Sequence, residues 1–399
     1  MSGPLKGTLV LDLSRVLAGP WAGQALADLG ARVIKVEKPG EGDDTRSWGP
    51  PDLGSGKDSV SGYFICANRG KESIAIDFRD PRGVEVIKKL AQKADILIEN
   101  YKVGGLAAYG LDYDSVSAIN PAIIYCSISG FGQTGPYAAK PGYDFVIQAM
   151  SGLMSITGSD EPTKVGVAIS DLVTGLYATV GILGAYTRAR ETGQGEHIDI
   201  SLLDSQMAIL ANQASNYLVT GQAPRMLGNT HPNIVPYQVF QTADNPIVVA
   251  IGNDHQFKSF CKDIGLPDLS DDPLYAINAK RVQNRDVLVP ILQAELCKKP
   301  AQYWLDKLVV PTGPVNTIAE AFADPQVQAR HTVLETERQG LGKVPGVRSP
   351  IRFKNNEQRQ HRAPPALGDS SVAILEELGL EKADIEDLLE AGVVSQQVD

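Results

Sequence analysis

Through the first half of the chain, short apolar runs alternate with segments whose apolar residues recur every three or four positions. The runs Thr8–Leu13, Arg32–Glu37, Ser73–Asp77, Ile96–Glu99 and Ile123–Ser127 predict buried strands. Between them, Gly19–Leu29 places Ala22, Leu26 and Leu29 on one helical face. Pro81 opens a second helical pattern that runs to Ala94, since proline's missing N–H has no partner in a first helical turn anyway. Strand–helix alternation predicts an α/β fold with a mainly parallel, Rossmann-like sheet covered on both faces. In such sheets ligands gather at the carboxyl ends of the strands.

Further along, Tyr143–Thr157 and Asp171–Thr192 have helical spacing, and Gly193 and Gly195 end the second. A strand at His197–Leu202 and one long helix at Leu202–Thr220 are expected next. Residues 222–236 are rich in Pro, Asn, Gly and His and read as a loop. Strands at Val239–Thr242 and Ile247–Ile251 follow, then polar helices to Leu308. The expected organisation is a large α/β domain over 1–221, a smaller α/β domain over 222–325, and a C-terminal segment, 326–399, returning to the large one. That last segment holds a proline-rich stretch, Lys343–Leu367, and a helical pattern, Ser371–Ala391.

Composition narrows the function. A net charge of −10 argues against general nucleic-acid binding, which needs a basic face, but not against one anionic ligand held by a few local cations. Cys66, Cys126, Cys261 and Cys297 are far apart, which gives no CxxC pair and suits free thiols in a reducing compartment. The N-terminal MSGPLKGTLVLDLS lacks the basic start and cleavage site of a signal peptide. No run of about 18 uncharged apolar residues is seen, so the expectation is a cytoplasmic protein with no membrane partner.

No GxGxxG follows the first strand, GxxxxGK[ST], GxSxG and HExxH are absent, and the five histidines are scattered without metal spacing. Carboxylates are what remains for the chemistry. Asp12 ends the first strand and reads either as a functional group or as a turn cap. The triplet Glu99-Asn100-Tyr101 follows the fourth strand, where turn chemistry explains it as well as a base-stacking pair does. Asp171, in VGVAISDLVTG, stands at the start of a long apolar helix; the dipole there favours a carboxylate, and an N-cap is the plain alternative. Tyr143-Asp144 follows the turn Lys140-Pro141-Gly142 and reads as a helix start with its cap.

End to end, the chain resembles the class III CoA-transferases, the family of formyl-CoA transferase and the carnitine CoA-transferase. The resemblance is carried by LVLDLSRVLAGPWAGQALADLGARVIKVEKPGEGDDTR, ANRGKESIAIDFRDPRG, ADILIENY, SISGFGQTGPYAAKPGYD and the run from DLVTGLYA to GQGEHIDISLLDS. It implies a nucleophilic Asp171, acyl-CoA and carboxylic acid substrates, coenzyme A only as part of substrate and product, no metal, and an interlaced homodimer. Its CoA contacts fall on Val16, Leu17, Ala18, Lys38, Arg69, Lys71, Asn100, Tyr101 and Lys140, the four cations facing the nucleotide phosphates. A further basic residue of formyl-CoA transferase is Ala108 here, with Lys102 or Lys71 as substitutes.

Tyr143, Asp144, Gly228, Asn229 and His231 fall in the substrate region. The loop from Met226 to Gln238 keeps Gly228 and Asn229 but lacks that enzyme's run of glycines, which argues against a formyl or oxalyl specialist. GVAISDLVTGLYATVGILGAY and IVVAIGNDHQF are similar to the branch acting on dicarboxylic acids such as succinate and glutarate. Two alternatives stay open. The α-methylacyl-CoA racemases share the fold but use a histidine where this chain has Tyr143, a poor reversible base at neutral pH. A non-catalytic CoA-binding protein would not need Asp171.

Overall fold

The computed structural model describes residues 3–56, 59–355 and 362–397. The chain divides into two compact units. The first comprises 1–153, 165–219 and 331–399; the second comprises 154–164 and 220–330. Residues 154–164 thus belong with the smaller unit, although the sequence places them in the large domain.

In the first unit six parallel strands form the sheet: β1 (Leu9–Asp12), β2 (Arg32–Glu37), β3 (Lys71–Ile76), β4 (Ile96–Glu99), β5 (Ile124–Ser129) and β6 (Glu196–Ser201). Their order is 3-2-1-4-5-6, and Val394–Ser395 adds a short antiparallel edge beside β3. This is the doubly wound order, whose direction reverses between β1 and β4. The crevice for a ligand therefore lies where the chain leaves β1 and β4. Helices cover both faces. On one side Ile87, Leu90 and Leu375 pack on Leu11, Ile34 and Leu97. On the other, Ala22, Leu26, Ala178 and Ile182 pack on Val10, Ile96 and Cys126. Leu11, Val10, Ile96 and Leu97 are almost wholly buried, as strands covered on both faces must be.

Two helices bring the site together. α1 (Ala18–Asp28) follows β1, and α2 (Ile169–Thr192) precedes β6. They cross closely at Gly175, where a Cβ would lie 2.6 Å from the carbonyl oxygen of Ala18. Gly193, at φ 71°, ends α2 in the left-handed conformation usual for a helix C-terminus. By length and composition α2 is also apolar enough to cross a membrane. Its Thr174, Ala178 and Ile182 face the core of this unit instead.

Several expected helices are broken. Leu202–Thr220 is two helices, Leu202–Ala208 and Ala211–Thr220, with Ala211 at φ 48°. Gly152 splits the Tyr143–Thr157 pattern after Met150, and Gly379 splits Ser371–Ala391. The hairpin Val333–Arg338 with Gly342–Val347 begins before the proline-rich stretch and reaches into it.

The second unit is built on an antiparallel sheet of Tyr237–Phe240, Ile247–Ala250 and Thr312–Pro314. Phe257, Phe260, Leu288, Leu292 and Trp304 fill its core. Arg281 is fully buried there, donating to the carbonyls of Val235 and Tyr275 and to Asp254.

Inside the large unit, Lys71 at the start of β3 and Asp12 at the end of β1 form a fully buried ion pair at 2.8 Å. The remaining protons of the Lys71 ammonium go to Pro20 O and Asn68 Oδ1. Burial pulls this ammonium down to about 8 against the attraction of Asp12, so it stays charged at neutral pH. Burial alone would raise the Asp12 carboxyl, but Lys71 and then Lys35 bring it below its ordinary value. Lys71→Met strands Asp12 without its main counter-charge and should cost about 3–5 kcal/mol. A urea unfolding curve measures this; an unchanged midpoint would refute the account.

Candidate active site

The chain leaves β1 through Leu13-Ser14-Arg15-Val16-Leu17 and enters α1 at Ala18. It leaves β4 through Asn100 and Tyr101. These two exits are stitched together: the Asn100 carboxamide accepts from Arg15 N at 2.8 Å and donates to Arg15 O at 2.7 Å. A cavity of about 420 Å³ opens there, lined by Arg15–Ala18, Asp44, Asn100–Val103, Ile128–Gly130, Ala138–Tyr143, Asp171 and Leu202. The two helix N-termini, of α1 and α2, contribute Ala18 and Asp171 to its wall.

Asp171 lies in the first turn of α2, half-buried. Burial, and then the neighbouring Asp144 charge, push its carboxyl up to about 7. Asp144 itself does not cap its own helix, Asp144–Met150. Its Oδ1 accepts from Ser170 N at 2.8 Å, so it caps α2 from outside. Its Oδ2 accepts from Gln148 Nε2 at 2.8 Å, and Gln148 Oε1 accepts from Val165 N at 2.9 Å. On the other side Ser170 Oγ donates to Gln206 Oε1 at 2.8 Å. The start of α2 is thus held by side chains from two other segments, and Asp144 acts behind Asp171 rather than in the cavity.

Tyr143 is 66% exposed and lines the cavity. Lys140 lines it too, its ammonium 4.0 Å from the centre of the Tyr137 ring. Val16, Leu17, Ala18, Asn100, Tyr101, Lys140, Tyr143 and Asp171, all singled out in the sequence, therefore share one cavity.

An adjoining cavity of about 550 Å³ shares Arg15, Asp44, Tyr101 and Lys102 with it and takes in Lys38. Its wall holds cations at Arg15, Lys35, Lys38, Arg79 and Lys102 and carboxylates at Glu37, Glu41, Asp43, Asp44 and Asp77, with Arg15 paired to Asp44, Lys38 to Glu41 and Arg79 to Asp77. Phe78 stands edge-on to both Tyr101 and Tyr109, with ring centres 5.6 and 5.2 Å apart. Phe78, Arg79 and Tyr109 escaped the sequence reading; their signal is only that they follow β3 and precede the turn at Gly110, at the carboxyl edge of the sheet. Near Asp171, Tyr63 was also missed. Burial and the Asp171 charge hold its phenol up at about 12, and it stands edge-on to Trp48 at 5.0 Å.

Two predicted CoA cations are not in either cavity. Lys71 is fully buried and has all three ammonium protons committed to Asp12, Pro20 O and Asn68. Arg69 is buried and forks onto both oxygens of Asp28. Lys71 therefore has no donor to turn toward a phosphate, and Arg69 lines neither cavity. Lys102, in contrast, lines both cavities, while Ala108 lines neither.

Gly228, Asn229 and His231 lie in the second unit. Gly228, at φ 55°, donates to Gly158 O at 3.0 Å. Asn229 is exposed. The His231 Nδ1 accepts from Asn233 N at 3.1 Å, and its carbonyl accepts from Arg285. Burial and the Arg285 charge keep this imidazole below its ordinary value, hence neutral at pH 7. Among the described residues no group of three or more His, Cys, Asp or Glu is placed to hold a metal.

Comparison with known proteins agrees with the geometry. The family model described as CoA-transferase family III matches residues 5–371. The succinate–glutarate CoA-transferase of Agrobacterium fabrum is 48% identical over 382 residues, covering 94% of this chain and 96% of its own length. The human succinyl-CoA:glutarate CoA-transferase is 45% identical, covering 98% of this chain and 90% of its own. A crystal structure of a CAIB/BAIF family protein from Brucella suis superposes with a TM-score of 0.83 at 47% identity, covering 95% of this chain and all of that one.

The Asp171 environment has a cost in stability with a definite sign. Its carboxyl is held above its unfolded value, so the penalty for ionising it grows as pH rises from about 4 and is complete above about 7. Asp171→Asn should therefore stabilise the protein at pH 8, by on the order of 1 kcal/mol after solvent screening, and leave it unchanged near pH 4. Thermal unfolding of both proteins at the two pH values checks this; a loss at pH 8 would contradict it.

Proposed function

Because the chain belongs to CoA-transferase family III, whose members move CoA between carboxylic acids, we propose that it transfers CoA from succinyl-CoA to a dicarboxylate through a covalent cycle at Asp171. The observation that carries the mechanism is a half-buried carboxylate in the first turn of a 24-residue helix, opening into the cavity at the sheet's reversal point.

The cycle needs only anionic nucleophiles. The Asp171 carboxylate attacks the thioester carbonyl, the C–S bond breaks, and CoA leaves as thiolate with a mixed anhydride behind it. The thiolate attacks the aspartyl carbonyl of that anhydride, which forms the aspartyl-CoA thioester and frees the donor carboxylate. The acceptor carboxylate then attacks this thioester, giving a second anhydride and the thiolate again. Attack of the thiolate on the acceptor's carbonyl yields the new acyl-CoA and restores Asp171. No proton is gained or lost over the cycle, and no permanently bound cofactor takes part.

Raising the Asp171 carboxyl toward 7 makes its anion a better nucleophile than an ordinary aspartate while leaving it about half ionised at neutral pH. The positive end of the α2 dipole lies where it can stabilise the negative charge that develops on the thioester oxygen as Asp171 attacks. In the adjoining cavity Lys102, and Arg15, Lys38 and Arg79 on exchanging their carboxylate partners, are suited to the phosphates of CoA, and the Phe78, Tyr101 and Tyr109 rings to its base. Lys102 takes the place suggested for the missing cation at Ala108. Tyr143 is placed to donate a hydrogen bond to the acyl group, not to act as a base. A cytoplasmic homodimer is part of the same reading.

Asp171→Asn should lower transfer by on the order of 10⁴-fold or more while leaving CoA binding largely intact. Wild-type protein incubated with succinyl-CoA alone, then quenched in acid, should carry a label on the Asp171 peptide by mass spectrometry. Its absence, together with deuterium entering the α-carbon of a 2-methylacyl-CoA in heavy water, would assign a racemase instead. New acyl-CoAs formed from a panel of acids identify the acceptor.

Tyr143→Phe should reduce turnover by about 10–100-fold, the effect of one lost charge-assisted hydrogen bond. Complete inactivity in a folded Tyr143→Phe protein would contradict the donor role. The acid limb of kcat/KM for acyl-CoA should have its midpoint near pH 7, because the free protein must ionise Asp171 before attack. Asp144→Asn removes the neighbouring charge and should move that midpoint to lower pH; a midpoint that stays or rises would refute the coupling.

A further inference from the structure

Val16 adopts φ 71°, a conformation that a β-branched residue rarely takes. It sits in the middle of the loop that lines the cavity. Both carboxylate oxygens of Asp43 accept from its N–H, each at 3.2 Å. Asp43 is itself immobilised. Its Oδ1 accepts from Thr45 N and Thr45 Oγ at 3.0 and 2.8 Å. Its Oδ2 pairs with Lys35 Nζ at 2.8 Å, and neither side chain is exposed.

Lys35 also donates to Ser14 O at 2.8 Å, on the other side of Arg15. Arg15 is held through both its N–H and its carbonyl by Asn100. Three consecutive residues are therefore pinned by their backbones: Ser14 by a side chain from β2, Arg15 by one from the exit of β4, and Val16 by Asp43. Asp43 is held down to about 2 by Lys35 and Thr45 against the effect of burial, and Lys35 is held above its ordinary value by Asp43, Asp12 and Glu37. The pair stays ionised throughout the neutral range, so the clamp is permanent.

We propose that Asp43, seated on Lys35, is a positioning residue for acyl-CoA. It holds Val16 in the left-handed conformation and so fixes where Leu17 and Ala18 meet the thioester end of CoA. Neither Asp43 nor Lys35 takes part in the covalent cycle. The inference rests on the reading that the cavity holds acyl-CoA, and it assigns to buried charges a role in substrate affinity beyond their role in folding.

Glycine supplies the test, because it takes positive φ without strain. Asp43→Asn should raise KM for succinyl-CoA about 10-fold or more, with the rate of Asp171 labelling at saturating succinyl-CoA within about 3-fold of wild type. Without the clamp Val16 leaves the left-handed region; a glycine there can return to it. Val16→Gly combined with Asp43→Asn should therefore recover at least about 5-fold in KM over Asp43→Asn alone.

A purely structural role would lower the urea midpoint, leave KM of the folded protein unchanged, and give no recovery with glycine; that result overturns the proposal. Should Asp43→Asn not fold, Val16→Gly and Val16→Ala are compared with Asp43 in place. The clamp holds either residue, so their KM values should agree within about 3-fold. A glycine variant 10-fold weaker than the alanine variant would show that Asp43 does not set the loop. If wild-type protein neither binds CoA in calorimetry nor acquires the Asp171 label, the functional reading itself fails, an outcome separate from the variant comparison.

Discussion

Lys35, in β2, and Lys71, at the start of β3, are buried with no solvent to screen them, and both must be neutralised from within the protein. Each has its own carboxylate at 2.8 Å, Asp43 for Lys35 and Asp12 for Lys71. A buried ion pair gains little net stability over an apolar pair of the same volume, because desolvation offsets the attraction. Its value here is geometric. A charge that cannot reach water must keep its partners, and the partners are backbone groups of the β1 exit. Lys35 holds Ser14 O, Asp12 receives Ser14 N, and Asp43 receives Val16 N. Fixing two lysines thereby fixes the loop from which α1 starts.

The second constraint sits at the start of α2, where two effects on Asp171 oppose each other. The helix dipole favours its anion, whereas burial and the nearby Asp144 disfavour it. Asp144 is held by the cap it gives to Ser170 N and by Gln148, so it cannot move away to relieve the repulsion. The result is a carboxylate kept near half ionisation, strained electrostatically but not misplaced. The close crossing at Gly175 makes the arrangement specific, since any side chain there would push α2 away from Ala18 and carry Asp171 with it.

Most of the large sheet was legible because strands covered on both faces are unbroken apolar runs with few alternatives. Asp171 and the Lys140–Tyr143 turn were legible only through resemblance; as residues they were as good a cap and a helix start. The burial of Arg69 and Lys71 was not legible because a sequence does not distinguish a solvated cation from one buried against a distant carboxylate, and Asp12 lies 59 positions from Lys71. Asp43 escaped for the same reason. Its significance comes from Val16, 27 residues earlier. The broken helices failed differently: Gly152 and Gly379 stand inside patterns whose apolar spacing continues across them, and Ala211 at φ 48° has no local signature at all.

The absence of a glycine fingerprint after β1 then has a physical explanation. The strand order is that of the dinucleotide folds, and the ligand crevice is in the same place. Those folds use glycine after β1 because the turn needs positive φ and a bare backbone near the phosphates. Here the corresponding turn reads Ser14-Arg15-Val16-Leu17-Ala18, and the residue with positive φ is a valine. What glycine would give through freedom, this loop obtains through constraint, with Asp43 on one side and Asn100 on the other. A clamped valine keeps a side chain on the cavity wall and loses less entropy on folding than a glycine would. It also makes the loop dependent on charges buried at a distance in sequence. That dependence is why the turn after β1 carries no glycine motif that a search along the chain would find.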